Sequence, residues 1–120
     1  MNGLHIIANL KGCSFDFSKE HILIDFCIKT CSQHGLHVVG VSSHEFNPQG
    51  LTFAILLAES HLCVHTWPEY NSLALDIYTC NHTSDNNEKT KAIYQAIVDF
   101  VKPAQQETKI LNREDLKLQP

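Results

Sequence analysis

Residues 47–67 read Asn47-Pro48-Gln49-Gly50-Leu51-Thr52-Phe53-Ala54-Ile55-Leu56-Leu57-Ala58-Glu59-Ser60-His61-Leu62-Cys63-Val64-His65-Thr66-Trp67. Asn47 to Gly50 form a turn by composition, because Pro fixes one φ and Gly permits a positive one. Leu51 to Ala58 is a continuous apolar strand, buried on at least one face. Glu59 to Trp67 continues without Gly or Pro until Pro68 breaks the ladder. Strands this close along the chain pair antiparallel, since a parallel crossover needs about a dozen residues or more.

The same logic extends outward. Ser72 to Cys80 alternates Leu73, Leu75 and Ile77 with Ala74, Asp76 and Tyr78, a third strand of this sheet. Residues 3–10 alternate weakly and supply a first strand, and Leu36 to Val41 another that leads to Phe46. Ser18 is placed to cap a helix carrying Glu20 in its first turn, with Ile22, Leu23, Phe26, Cys27 and Cys31 on its apolar side and Gly35 as its stop. Asp85 to Glu88 cap a second helix, whose face is Ile93, Ala96, Ile97, Phe100 and Val101 and which Pro103 ends. Thr108 to Leu111 reads as an edge strand, and Asn112 to Pro120 as a solvated tail. The expected fold is α+β: a two-layer sandwich of one antiparallel sheet with both helices on one face, built as a single domain over 1–120.

Composition bounds function only from outside. Nine basic against thirteen acidic residues give a net charge of −4, without the basic face or stripe that nucleic-acid binding requires. No apolar run approaches the roughly 20 residues of a membrane span. The N-terminus lacks the basic and apolar regions of a signal peptide. The five cysteines are irregularly spaced and odd in number, a poor disulfide framework. A small cytoplasmic protein with no nucleic-acid or membrane partner is expected.

Chemistry concentrates in Glu59 to Tyr70, where the Ser60 hydroxyl, two imidazoles, a thiol and two carboxylates interrupt an apolar sheet. Buried strands accept such groups only when each is satisfied or used. Taken singly, Ser60 is an ordinary hydrogen-bonded serine, Cys80 a small buried hydrophobe and Phe46 a core residue. His61, Cys63 and His65 share a strand face, but this spacing lacks a matching fourth ligand, so no metal is expected. Cys27 and Cys31 are assigned to helix packing, and His21, His34, His37, His44 and His82 to the surface or to strand ends.

The run Glu59-Ser60-His61-Leu62, then His65-Thr66-Trp67-Pro68-Glu69, then Asp76 and Thr79-Cys80, resembles the small prokaryotic S-adenosylmethionine decarboxylase proenzymes. The resemblance spans most of the chain. It implies a zymogen that cleaves itself between Glu59 and Ser60 into a β chain of residues 1–59 and an α chain of residues 60–120. The Ser60 hydroxyl attacks the Glu59 carbonyl carbon, the peptide C–N bond breaks, and an ester replaces it. β-Elimination then releases the Glu59 carboxylate and leaves a dehydroalanine, which tautomerises and hydrolyses, with loss of ammonia, to a pyruvoyl group. That group is the implied cofactor; it forms a Schiff base with the substrate amine and accepts the electrons that decarboxylation releases.

The resemblance further implies Cys80 as the acid that reprotonates the carbanion and His65 as a proton acceptor in processing. Thr52 stands where a serine commonly supports processing. Phe46 matches an aromatic that stacks on adenine, and Glu69 a carboxylate that holds the ribose hydroxyls. A homodimer of processed chains is implied, making the aminopropyl donor for spermidine in polyamine biosynthesis.

Some residues depart from the family pattern. Leu4 replaces a basic residue before His5, and Asn9 stands at an acidic position. Gly50-Leu51-Thr52-Phe53 replaces Gly-x-Ser-Gly, and Phe53 is expected to narrow any pocket beside it. Asn81 follows Cys80 where the family has Gly, and Asn71 follows Tyr70. Two alternatives follow: a pyruvoyl-dependent L-ornithine or L-arginine decarboxylase, and an uncleaved non-catalytic homologue. Strict alternation also sends Ser60 and His65 to opposite sheet faces; either a bulge or the release of position 60 as a chain end reconciles them.

Overall fold

A computed structural model of the protein describes residues 3–81 and 85–113. Strand β1 (Gly3–Lys11) is followed by helix α1 (Glu20–Gln33), strands β2 (Val38–Glu45), β3 (Leu51–Leu57), β4 (Ser60–Trp67) and β5 (Ser72–Cys80), helix α2 (Asn87–Val101) and strand β6 (Gln105–Asn112). The strands form one sheet in the order β2-β3-β4-β5-β1-β6, and every neighbouring pair is antiparallel. This is the expected α+β sandwich. Its outer strands, β2 and β6, carry mostly exposed residues, as suits unpaired edges.

Alternation sorts the side chains. Leu4, Ile6, Ala8 and Leu10 of β1, Leu51, Phe53, Ile55 and Leu57 of β3, Leu62 and Val64 of β4, and Leu73, Leu75 and Ile77 of β5 are all buried beneath the helices. α1 contributes Leu23, Cys27 and Cys31, and α2 contributes Ile93, Ile97, Val98 and Val101. Stacking of Phe26 on Phe100, with ring centres 4.0 Å apart, joins the two helices. The opposite face of the sheet has no helix over it among the described residues. It displays His5, Asn9, Thr52, His61, Cys63, His65, Trp67, Asp76, Tyr78 and Cys80.

Several local expectations change. Ser18 does not cap α1, which begins after Lys19 with no side-chain cap bond. Instead Asp16 caps the 3-10 turn at Phe17–Lys19 that leads into it, its carboxylate accepting from the Ser18 N–H at 3.0 Å and the Ser18 hydroxyl at 2.7 Å. A carboxylate accepts both donors together, which a hydroxyl does less well. Ile22 is exposed rather than packed. Phe53 is 1% exposed in the core, so it narrows nothing on the open face; Thr52 is its chain neighbour, and adjacent strand residues point to opposite sides. Leu4 likewise faces the helices. Asn71 adopts a left-handed φ of 49°, a conformation Asn tolerates better than most residues other than Gly. His82 and residues 114–120 lie outside the described residues.

Candidate active site

The expected site residues fall into two groups at opposite ends of β4. The first surrounds the Glu59–Ser60 peptide. Leu57 pairs with Ser60, so Ala58 and Glu59 alone make the hairpin turn. Ser60 also lies directly opposite Thr79 on β5, and its side chain points to the helix side. There it lines a cavity of about 170 Å³ with Glu59, His37, Asn86 and Lys89. Cys80, the last residue of β5, points to the open face and pairs with Gly3. The Asn86 side chain bridges this end: its Nδ2 donates to Glu59 Oε2 at 3.2 Å and to the Cys80 carbonyl at 2.9 Å.

The second group sits on the open face near the far end of β4. Thr52 and His65 are a cross-strand pair, with Thr52 Oγ1 2.8 Å from His65 Nδ1. The His65 ring lies 4.1 Å from Trp67 and 5.7 Å from Phe46, and Phe46 meets His44 edge-on at 4.7 Å. The result is a row of rings along one edge of the open face, with Phe46 and Trp67 both substantially exposed. Glu69 is exposed in the 3-10 turn at Pro68–Tyr70, just beyond Trp67. Asn9, a departure from the family pattern that does lie on this face, lines a groove of about 380 Å³ with Lys11, Trp67, Tyr70 and Ser72.

Ser60 and His65 do face opposite sides, and β4 pairs with both neighbours without a bulge. At the usual strand rise, the two residues are about 17 Å apart. The His65 imidazole therefore cannot reach the Glu59–Ser60 peptide of its own chain.

Between the two groups lies a cluster the sequence did not announce. His5 Nε2 is in short contact with Asp76 Oδ1, and His61 Nε2 lies 3.4 Å from the same oxygen. Arg113 Nη1 donates to His5 Nδ1 at 3.0 Å, and its guanidinium stands 4.9 Å over the Tyr78 ring. The three ligand atoms of His5, His61 and Asp76 lie within 4.8 Å of one another, so the metal set that geometry suggests differs from His61, Cys63 and His65. Arginine only donates, so His5 Nδ1 must accept and its proton sits on Nε2, facing Asp76. Metal binding through Nε2 would need the other tautomer, which Arg113 opposes. No local pattern reveals this cluster, because it depends on β1 lying beside β5.

The thiols divide by environment. Burial pushes Cys13 and Cys31 up to about 11 and Cys27 higher still, the last with a further contribution from Cys31. Burial, with the nearby Asp76 charge, also raises Cys63. Neutral cysteines are the outcome, and Cys27 and Cys31 pack the core as expected. All five cysteines are free.

Comparison with known proteins decides the family. The S-adenosylmethionine decarboxylase family model matches residues 4–114. The chain belongs to that family. S-adenosylmethionine decarboxylase proenzyme 2 of Bacillus cereus is 38% identical over 112 residues, covering 92% of this chain and 88% of the relative. The S-adenosylmethionine decarboxylase proenzyme of Archaeoglobus fulgidus is 36% identical over 112 residues, covering 92% and 96%. The crystal structure of the adenosylmethionine decarboxylase from Aquifex aeolicus superposes with a TM-score of 0.82 at 26% identity, covering 99% of this family member and 96% of that chain.

Proposed function

We propose that the chain is the precursor of a pyruvoyl-dependent carboxy-lyase that cleaves itself between Glu59 and Ser60 and decarboxylates S-adenosylmethionine. The observation that carries this reading is the junction itself. The Glu59–Ser60 peptide closes a hairpin whose Ser60 hydroxyl lines a cavity and whose neighbour across the ladder leads straight to the Cys80 thiol. The relatives named above are S-adenosylmethionine decarboxylase proenzymes, which favours this substrate over ornithine or arginine. The buried position of Phe53 removes one reason for preferring an amino-acid substrate.

The residues present fit the group that position 60 would become. Cleavage makes position 60 a free strand end beside Cys80, able to turn from the cavity toward the open face. When formed, the pyruvoyl carbonyl supplies an electron sink for loss of carbon dioxide. Cys80 is then positioned to deliver a proton. Phe46, His65 and Trp67 offer ring faces to an adenine, and Glu69 two acceptor oxygens to a ribose diol.

His65 on β4 and its cross-strand partner Thr52 on β3 lie too far along the sheet to act on their own junction, so the reading includes a homodimer whose second copy supplies them. The open face supports such pairing: Leu56, Ile7, Trp67 and Leu111 are exposed there, a patch that a second sheet would cover. The reading places the enzyme in the cytoplasm, in polyamine biosynthesis.

Intact mass and a carbon dioxide release assay test the reading together. The purified chain is expected as two fragments, 1–59 and 60–120, the latter blocked at its N-terminus. Turnover is expected with carboxyl-labelled S-adenosylmethionine and not with L-ornithine or L-arginine. Release from an amino acid alone would move the substrate assignment. A chain that stays whole would favour the uncleaved homologue.

A further inference from the structure

We infer that Asn86 is a positioning residue for self-cleavage, holding the Glu59 side chain against the end of β5 so that the Glu59–Ser60 peptide stays within reach of the Ser60 hydroxyl. This rests on the reading that the chain cleaves there.

The hairpin turn does not hold itself in the usual way. Two-residue hairpins favour turns in which at least one residue has a positive φ, because that twist matches the strands. Among the described non-glycine residues, positive φ occurs at Asn71 and Lys102, so Ala58 and Glu59 do not adopt it. The turn is instead tethered from outside. The Ala58 N–H donates to the His37 carbonyl at 2.9 Å, and the Glu59 carboxylate accepts from Asn86.

Asn86 is a strange residue to find in this place unless its side chain is needed there. It stands at the N-cap of α2, where Asn normally accepts from an N–H of the first turn. It makes no such bond. Both Nδ2 protons are used elsewhere, one on Glu59 and one on the Cys80 carbonyl. The Asn86 amide is thus directed away from the helix it begins, whose Asn87 N–H is met by the Asp85 carboxylate instead, and the residue is 2% exposed.

The backbone of Asn86 is itself pinned. Its N–H donates to Asn81 Oδ1 at 2.7 Å, and its carbonyl accepts the Thr90 N–H and the Thr90 hydroxyl, each at 3.0 Å. Thr90 in turn hydrogen-bonds Thr79, the residue opposite Ser60. Asn81, a departure from the family's glycine, is therefore a working part of this clamp. An acyl shift needs the carbonyl carbon and the hydroxyl oxygen held near contact, and a misplacement of about 1 Å can cost roughly 100-fold in rate.

A double-mutant cycle on the full chain tests this, with cleavage followed by intact mass during cell-free synthesis. Asn86→Asp keeps the size and the capping ability but sets a carboxylate against Glu59. It is expected to slow cleavage by roughly tenfold or more. Glu59→Gln in the same chain restores a donor–acceptor pair with reversed polarity at that contact, though not the one to the Cys80 carbonyl, so Asn86→Asp is expected to slow cleavage less in the Glu59→Gln background than in the wild-type chain. Asp85→Ala removes a bond to the Asn87 N–H without touching Glu59; it should lower the melting midpoint and leave the cleavage rate unchanged. Two outcomes overturn the proposal alone: Asn86→Asp cleaving at the wild-type rate, or a double variant as slow as the two single effects multiplied. A wild-type chain that never cleaves would instead defeat the functional reading beneath it.

Discussion

Ser60 and His65 belong to the same strand, yet their side chains leave opposite faces of the sheet near its two ends. One group sits in a cavity under the helices; the other stands among aromatic rings on the open face. If both act on the same peptide, they come from different copies of the chain.

Subunit complementation follows from that separation. Ser60→Ala and His65→Ala chains are each expected to stay uncleaved or nearly so when produced alone. Produced together, a mixed dimer brings an intact Ser60 from one chain to an intact His65 from the other. Fragments 1–59 and 60–120 carrying the His65→Ala substitution should then appear in the mass spectrum. Their absence, in mixtures shown by native mass spectrometry to contain the mixed dimer, would return His65 to its own chain or remove it from processing.

The hydrogen bond between Thr52 Oγ1 and His65 Nδ1, at 2.8 Å, makes a narrower prediction. Thr52→Val keeps the shape and removes the hydroxyl that fixes the ring. A single hydrogen bond is worth about 0.5–1.5 kcal/mol net, so cleavage should slow by about 2- to 10-fold. Thr52→Ser should cleave at close to the wild-type rate. Equal rates for all three chains would strip Thr52 of any processing role.

The buried thiols predict how stability responds to alkali. Cys13, Cys27 and Cys31 are held protonated in the fold, two of them up to about 11, against 9.0 for the ordinary group. Above pH 9 the unfolded chain loses these protons while the folded one keeps them. The folded state then binds more protons, so stability falls as pH rises from about 9 toward 11. Urea midpoints measured under reducing conditions at pH 8 and pH 10 should show the fall. Replacing the three cysteines by alanine should flatten it, and an unchanged slope would contradict the assignment.

Much of the fold was legible because alternation is local. A strand such as Ser72–Cys80 announces its two faces whatever lies beside it, and the apolar members proved to be the buried ones. The edge character of the last strand and the stop of α2 before Pro103 were readable for the same reason. Local signals misled where two neighbouring side chains competed for one job, as Asp16 and Ser18 did at the α1 entrance. They also misled when face was ignored, as with Phe53, whose size mattered only to the core.

The sequence by itself determined the order of strands and helices and most of the core, since these are written in neighbouring residues with a period of two or near four, although β2 runs from Val38 to Glu45 rather than from Leu36 to Val41. The family motif is local too. Only the tertiary structure decided which motif residues meet. The His5–Asp76 contact joins residues 71 positions apart, and it exists because β1 inserts between β5 and β6. Asn86 reads as a helix cap in the chain and becomes a clamp on Glu59 only once α2 packs across the end of β5. Pairing order and register are set by closing long loops over a common core, and no local pattern records that choice.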